Sequence, residues 1–239
     1  IDDIHSVVKG INYILKDDGY YSFEVHYGKN IIEESQYDNV YHEHIYYYTV
    51  NALKNLFEMY DMTIEDVIEM PIHAGSIRVI VKNTKERYND KILNILKYEE
   101  KLGITSIPYY EYFSGNVMKH KEELYNTLKQ LKRDGKRIGA YGASGRANIL
   151  CNFGDLDETI IDYIIDESPE RYGRFINNIP IYNSTEIDPT SDYILIFAWN
   201  YSSMIMSKLV GKYDFKYIIP FPTTRIISSI DELKYNNTL

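Results

Sequence analysis

Three features of this sequence predict an α/β fold. From residue 135 onward, short apolar runs alternate with amphipathic stretches. A glycine-rich loop, GAYGASGRA, joins one such run to the helix after it. Residues 4–27 read as helix, turn and strand. Strands alternating with helices imply right-handed crossovers and a doubly wound parallel sheet.

Each element follows from its local pattern. Ile4, Val7, Val8, Ile11, Ile14 and Leu15 are spaced as one helical face, and KDDG supplies a stop in which Gly19 can turn left-handed. Tyr21, Phe23 and Val25 then alternate as a strand does. A helix, turn and strand with no earlier strand is half of an α/β unit, so the chain reads as a fragment. Residues 28–50 form an aromatic-rich irregular loop with some extended structure. Residues 51–60 have helical spacing, and strands are expected at 62–69 and 76–82 around the turn-rich PIHAGS. Two polar, amphipathic helices follow at 85–102 and 109–133, the second with Leu124, Leu128 and Leu131 on one face. Beyond them come a strand at 138–141, a helix from 147 to 153 and a strand at 160–165. A strand at 194–198, a helix at 203–210 and a last strand at 217–219 complete the pattern.

Composition narrows the function classes. The 239 residues carry 44% hydrophobic and 26% charged side chains, as a globular protein does, and are long enough for two units. A formal charge of −9 argues against nucleic acid or an anionic membrane as the main partner. No stretch approaches the roughly 18–20 apolar residues of a membrane span. The first residues lack the layout of a signal peptide. Cys151 is the single cysteine, which excludes a disulfide within the chain and suits a cytoplasmic location.

Two stretches carry chemistry. In GKRIGAYGASGRANIL, Gly139, Gly142 and Gly145 stand three apart between strand and helix, where backbone N–H groups can meet an anion. Ser144 and Arg146 add a hydroxyl and a fixed positive charge. Asp166 ends the next strand, 21 residues after Gly145, where ribose-binding acids sit in dinucleotide folds. The spacing is GxxGxxG rather than GxGxxG, so NAD is weakly indicated, and a turn that merely lets helix and sheet pack stays open. FAWNYSSM follows a strand at the same sheet edge, which makes Asn200 and Tyr201 pocket liners and leaves Trp199 equally suited to core. The second stretch is NVYHEHIYYY. It lacks the HExxH spacing of a helical metal site and would need a further ligand, so no metal is assigned. Structural packing, or proton chemistry by imidazole and carboxylate, remain its two readings.

Taken in order, ILKDDGYYSFEV, YDNVYHEH, PIHAGSIRV, YGASGRAN, IDESPERYGR and FAWNY resemble the S-adenosylmethionine-dependent sugar C-methyltransferases, from Ile1 to Pro222. The resemblance implies methylation of the carbon beside a ketone in a nucleotide-linked deoxysugar. It also implies three parts: a small zinc-binding N-terminal domain, a class I methyltransferase domain, and a Rossmann-like C-terminal domain. On this basis residues 1–83 are the end of the methyltransferase domain with its catalytic loop, and 84–133 a helical connection. Residues 134–239 are the nucleotide-sugar-binding domain. The zinc cysteines, a glycine-rich cofactor motif and a further family histidine would lie upstream of Ile1. S-adenosylmethionine would then bind mostly outside this chain, and the chain alone would not transfer methyl groups.

Carried over residue by residue, His44 is the base, with Tyr41 and Glu43 assisting. The family pattern HGGS stands here as His73, Ala74, Gly75 and Ser76, followed by Arg78. Gly142, Ser144, Gly145, Arg146 and Asn148 match the segment that holds the nucleotide-sugar, with Asp166 and Asn200 beside it. Two rivals remain: a non-catalytic nucleotide-sugar-binding module, and an NAD-dependent oxidoreductase using Gly139–Gly145.

Overall fold

The computed structural model describes residues 1–234, the side chains of His73 and Lys234 excepted. The chain divides into two compact units. The first comprises Ile1–Glu33 and His42–Ser114, the second Glu34–Tyr41 and the chain from Gly115 on.

The first unit is built on an antiparallel sheet of three strands, β1 (Tyr20–His26), β2 (Thr63–Met70) and β3 (Ser76–Lys82), in the order β1-β3-β2. The register places Phe23 opposite Val79 and His26 opposite Ser76. Helix α1 (Ile4–Ile14) begins where the Asp3 carboxylate accepts from Ser6 N–H at 3.0 Å. Of its expected apolar face Val8 is buried, whereas Ile14 is 76% exposed. Gly19 is not left-handed. Its backbone passes so close to Lys16 that a Cβ would lie 2.9 Å from that carbonyl oxygen, and this approach is what requires glycine.

The stretch 28–50 is more ordered than its composition suggests, with a short helix α2 (Gly28–Glu33) and a 3₁₀ turn at Tyr37–Asn39. Helix α3 (Val50–Glu58) buries Leu53 and Phe57 against Ile64, Val67, Ile77, Val79 and Val81 of the sheet. Helix α4 (Asp90–Leu102) starts five residues later than its polar pattern implies. Asn89 caps it, accepting from Ile92 N–H at 3.1 Å, and Gly103 in the left-handed conformation ends it. Helix α5 (Ile107–Arg133) starts in the first unit and ends in the second.

The second unit holds seven strands: β4 (Ile138–Tyr141), β5 (Tyr163–Asp166), β6 (Phe175–Ile176), β7 (Ile179–Asn183), β8 (Tyr193–Ile196), β9 (Lys216–Ile219) and β10 (Arg225–Ile227). Their order is β10-β9-β8-β4-β5-β7-β6. The five central strands are parallel, and every residue of β4 and β5 is buried, as both faces of a doubly wound sheet require. The edges depart from the expected all-parallel sheet. Strand β6 pairs antiparallel with β7 through Asn177 and Asn178, whose φ angles of 45° and 63° form a tight turn. Strand β10 pairs antiparallel with β9, so the run at 217–219 is not the last strand. The strand expected from Ile160 begins at Tyr163, because Ile160 N–H is held in a turn by the Asp157 carbonyl.

The architecture is therefore α/β with a mixed sheet and a Rossmann-like parallel centre. Strand β4 lies between β5 and β8, so the connections leaving β4 and entering β8 diverge there. This is the topological switch point at which such sheets bind ligands. Among the described residues no helix is long and apolar enough to cross a membrane.

Candidate functional site

In the first unit, a cavity of about 360 Å³ lies at the carboxyl end of β1. Glu24 and His26 come from that strand, Ser76 from β3, and Glu43, His44, Tyr46 and Tyr48 from the connecting stretch. His44 is half-buried on backbone without regular structure, while His42 and Glu43 are exposed. Its ring meets that of His26 edge-on, with centroids 5.0 Å apart and planes at 60°.

The far end of this stretch is firmly held. The Tyr48 carbonyl accepts from Gly28 N–H at 2.7 Å, and Thr49 caps α3. The fully buried Glu99 carboxylate accepts from the N–H groups of Val50 and Asn51 and from the Tyr27 hydroxyl, each at 2.8 Å. Burial, reinforced by Glu99, raises the Tyr27 hydroxyl far above its ordinary pKa, so it stays a donor.

Other expected residues group around the same sheet end. Ser76 is buried and its hydroxyl donates to the Ile72 carbonyl at 3.2 Å. Arg78 is paired with Glu24 at 3.1 Å on the surface. The His73 side chain lies outside the described residues. Ala74 adopts φ +67°, a left-handed conformation that glycine takes without strain, and a Cβ on Gly75 would collide with Asn30. Among the described residues no group of three or more His, Cys, Asp or Glu side chains is arranged to hold a metal.

Tyr41 belongs to the second unit, at the end of the segment 34–41, not to the unit that carries Glu43 and His44. Gly145 fits beneath it: a Cβ there would stand 3.3 Å from the Tyr41 ring. The loop leaving β4 turns at Gly142, with φ +99°, and passes close to Ala198 after β8. The two loops that flank the switch point therefore abut. Gly139 lies inside β4 instead. A Cβ on it would meet the Tyr163 ring at 2.5 Å, so it serves strand packing, and only Gly142 and Gly145 belong to the loop.

Helix α6 (Gly145–Phe153) starts at Ser144, which makes no side-chain capping bond, so the hydroxyl is not spent on the helix end. Asn148, one turn on, is exposed, and its side-chain oxygen accepts from Asn152 at 2.5 Å. Asn200 is half-buried in the 3₁₀ turn Trp199–Tyr201 that follows β8, ahead of helix α7 (Ser202–Leu209).

The charged residues of this loop pair are tied inward. Asp166 is buried; its oxygens accept from Ala143 N–H at 2.6 Å, Ser168 N–H at 2.8 Å and the Arg171 guanidinium at 2.9 Å. It braces the β4 loop against the end of β5. Arg146 is paired at 3.5 Å with Asp38, and its guanidinium lies 5.3 Å from the Trp199 ring centre. Asp38 is fully buried. Its Oδ2 also accepts from the Trp199 indole at 2.7 Å, and its Oδ1 has no hydrogen-bond partner among the described residues. Burial pushes the Asp38 carboxyl above its ordinary pKa, with Arg146 and Trp199 pulling the other way.

Sequence reasoning passed over Asp38 and His26. Asp38 stands only three positions before Tyr41, but nothing local marks it as buried. His26 ends an ordinary alternating strand. Its one signal is that a strand end is where a side chain reaches a cavity.

Residues 71–222, more than half of the chain, match the model of the C-methyltransferase C-terminal domain. The chain is 27% identical over 236 residues to the C-methyltransferase NovU of Streptomyces niveus. The match covers 96% of this chain and 56% of that protein, so the chain spans about half the length of this curated relative.

Proposed function

The chain belongs to the C-methyltransferase C-terminal domain family, and from that premise we propose that it serves the S-adenosylmethionine-dependent C-methylation of a nucleotide-linked keto-deoxysugar. The observation that carries this reading is His44, a half-buried imidazole that lines, with Glu43, a cavity of sugar size. Carbon methylation requires loss of a weakly acidic proton beside a carbonyl, and a positioned imidazole suits that task as general base. His44 takes the proton, and Glu43 favours the imidazolium so formed.

The methyl group is supplied by S-adenosylmethionine. The described strands of the first unit pair only antiparallel and offer no parallel strand, glycine loop and helix to cradle that nucleotide, so none of its residues is assigned to the cofactor.

Residues 134–239 act as the nucleotide-sugar-binding part, 84–133 as the helical connection, and 1–83 as the end of the methyltransferase domain. Backbone N–H groups at Gly145 and the Ser144 hydroxyl receive the diphosphate, with Gly142 allowing the approach. Arg146 lends positive charge held by Asp38, while Asn148 and Asn200 line the two sides. Asp166 acts by fixing the loop through Ala143. Ser76, which lines the cavity with His44, and Arg78 on the same strand belong to the sugar end.

A thermal-shift panel with UDP- and dTDP-sugars, S-adenosylmethionine and NAD tests the assignment. The nucleotide-sugars alone should raise the melting temperature. Stabilisation by NAD alone would overturn it in favour of an oxidoreductase.

A further inference from the structure

We propose that His26 is a positioning residue for His44: it fixes the orientation of the base from the rigid end of β1. The inference rests on the reading of His44 as the base. A general base must meet its proton within hydrogen-bond reach, and a misplacement of about 1 Å costs on the order of 100-fold. His44 stands on backbone with no regular structure. His26 stands on a paired strand. Its register with Ser76 and the Tyr27 N–H bond to the Gly75 carbonyl, at 3.2 Å, anchor its backbone on the sheet. The edge-on contact at 5.0 Å transmits that rigidity to the His44 ring, and both imidazoles line the same cavity. Side chains on strands hold a site more tightly than side chains on loops, and here the strand residue abuts the loop residue.

The step His26 supports balances without any further reactant. The C–H bond beside the ketone breaks, the proton passes to a ring nitrogen lone pair of His44, and the electron pair moves onto the carbonyl oxygen. In deuterium oxide the reverse step returns deuterium to carbon. Wash-in can therefore be followed by proton NMR in the 239-residue chain with dTDP-4-keto-6-deoxyglucose as the probe and no methyl donor.

The wild-type chain should exchange the proton and His44→Gln should not. His26→Ala should slow exchange about 10- to 100-fold at saturating probe, with KM within about twofold and the melting temperature unchanged. His26→Phe, which keeps the ring contact, should recover most of the rate. Wild-type exchange in His26→Ala overturns the inference. So does a Phe variant as slow as Ala, which would assign His26 a hydrogen-bonding role instead. A His44→Gln variant that still exchanges, or a wild-type chain that does not, sinks the reading of the base itself and the inference with it.

Discussion

His120 and His44, the proposed base, stand in contrasting surroundings. His120, on α5 in the second unit, is 4% exposed and uses both ring nitrogens. Nε2–H donates to the Pro220 carbonyl at 2.6 Å, Nδ1 accepts from the Tyr37 hydroxyl at 3.2 Å, and the ring stacks on Phe221 at 4.7 Å. Burial lowers its pKa and keeps it neutral. His44 is half-buried, meets the His26 ring edge-on and borders a cavity. One imidazole joins Tyr37 and Pro220 across the second unit, while the other is positioned beside space large enough for a sugar.

The comparison can be broken most directly at His44. His44→Ala should reduce proton exchange by about 10²- to 10⁴-fold and leave the melting temperature within about 1 °C. If melting fell and exchange per folded molecule held, His44 would be a second His120. The converse change, His120→Ala, should lower the unfolding free energy in urea by about 2–4 kcal/mol, through a cavity and two orphaned partners. Nucleotide-sugar binding by the folded fraction should persist.

A pH titration sharpens the contrast. His120 has a lower pKa folded than unfolded, so the unfolded chain binds more protons as pH falls below about 6.5. Its contribution is complete above that pH and should fade on acidification, at up to about 1.4 kcal/mol per pH unit. Denaturant midpoints for the wild type and the His120→Ala variant should therefore converge toward low pH. The smallest effect is expected at Arg78. Its surface pair with Glu24 predicts a change under about 1 kcal/mol for Arg78→Ala, read by the same denaturation.

The parallel centre of the sheet was legible because its strands are continuous apolar runs such as YIID and YILI between turn residues. The switch point was legible for the same reason: both loops that flank it follow those runs directly. The two antiparallel edges were not. β6 has two residues, and β10 follows a proline-containing turn without alternation of its own. At the site, YHEH marked His44, but the burial of Asp38 is decided by Arg146 and Trp199, which lie 108 and 161 residues away. Likewise, Arg78 and Arg146 pair with Glu24 and Asp38, partners that no local pattern announces.

The eight residues 34–41 give the second unit a discontinuous pedigree, with a practical consequence for dissection. A truncation that began at Gly115 would strip Tyr37 from Phe153, His120 and Phe221, Asp38 from Arg146 and Trp199, and Tyr41 from Gly145. Such a piece would expose a greasy scar and cost Arg146 its buried carboxylate partner, and insolubility would say nothing about the sheet itself. Chimeras between relatives face the same constraint: the short early segment and the late sheet must be exchanged together, as if they were neighbours in the gene.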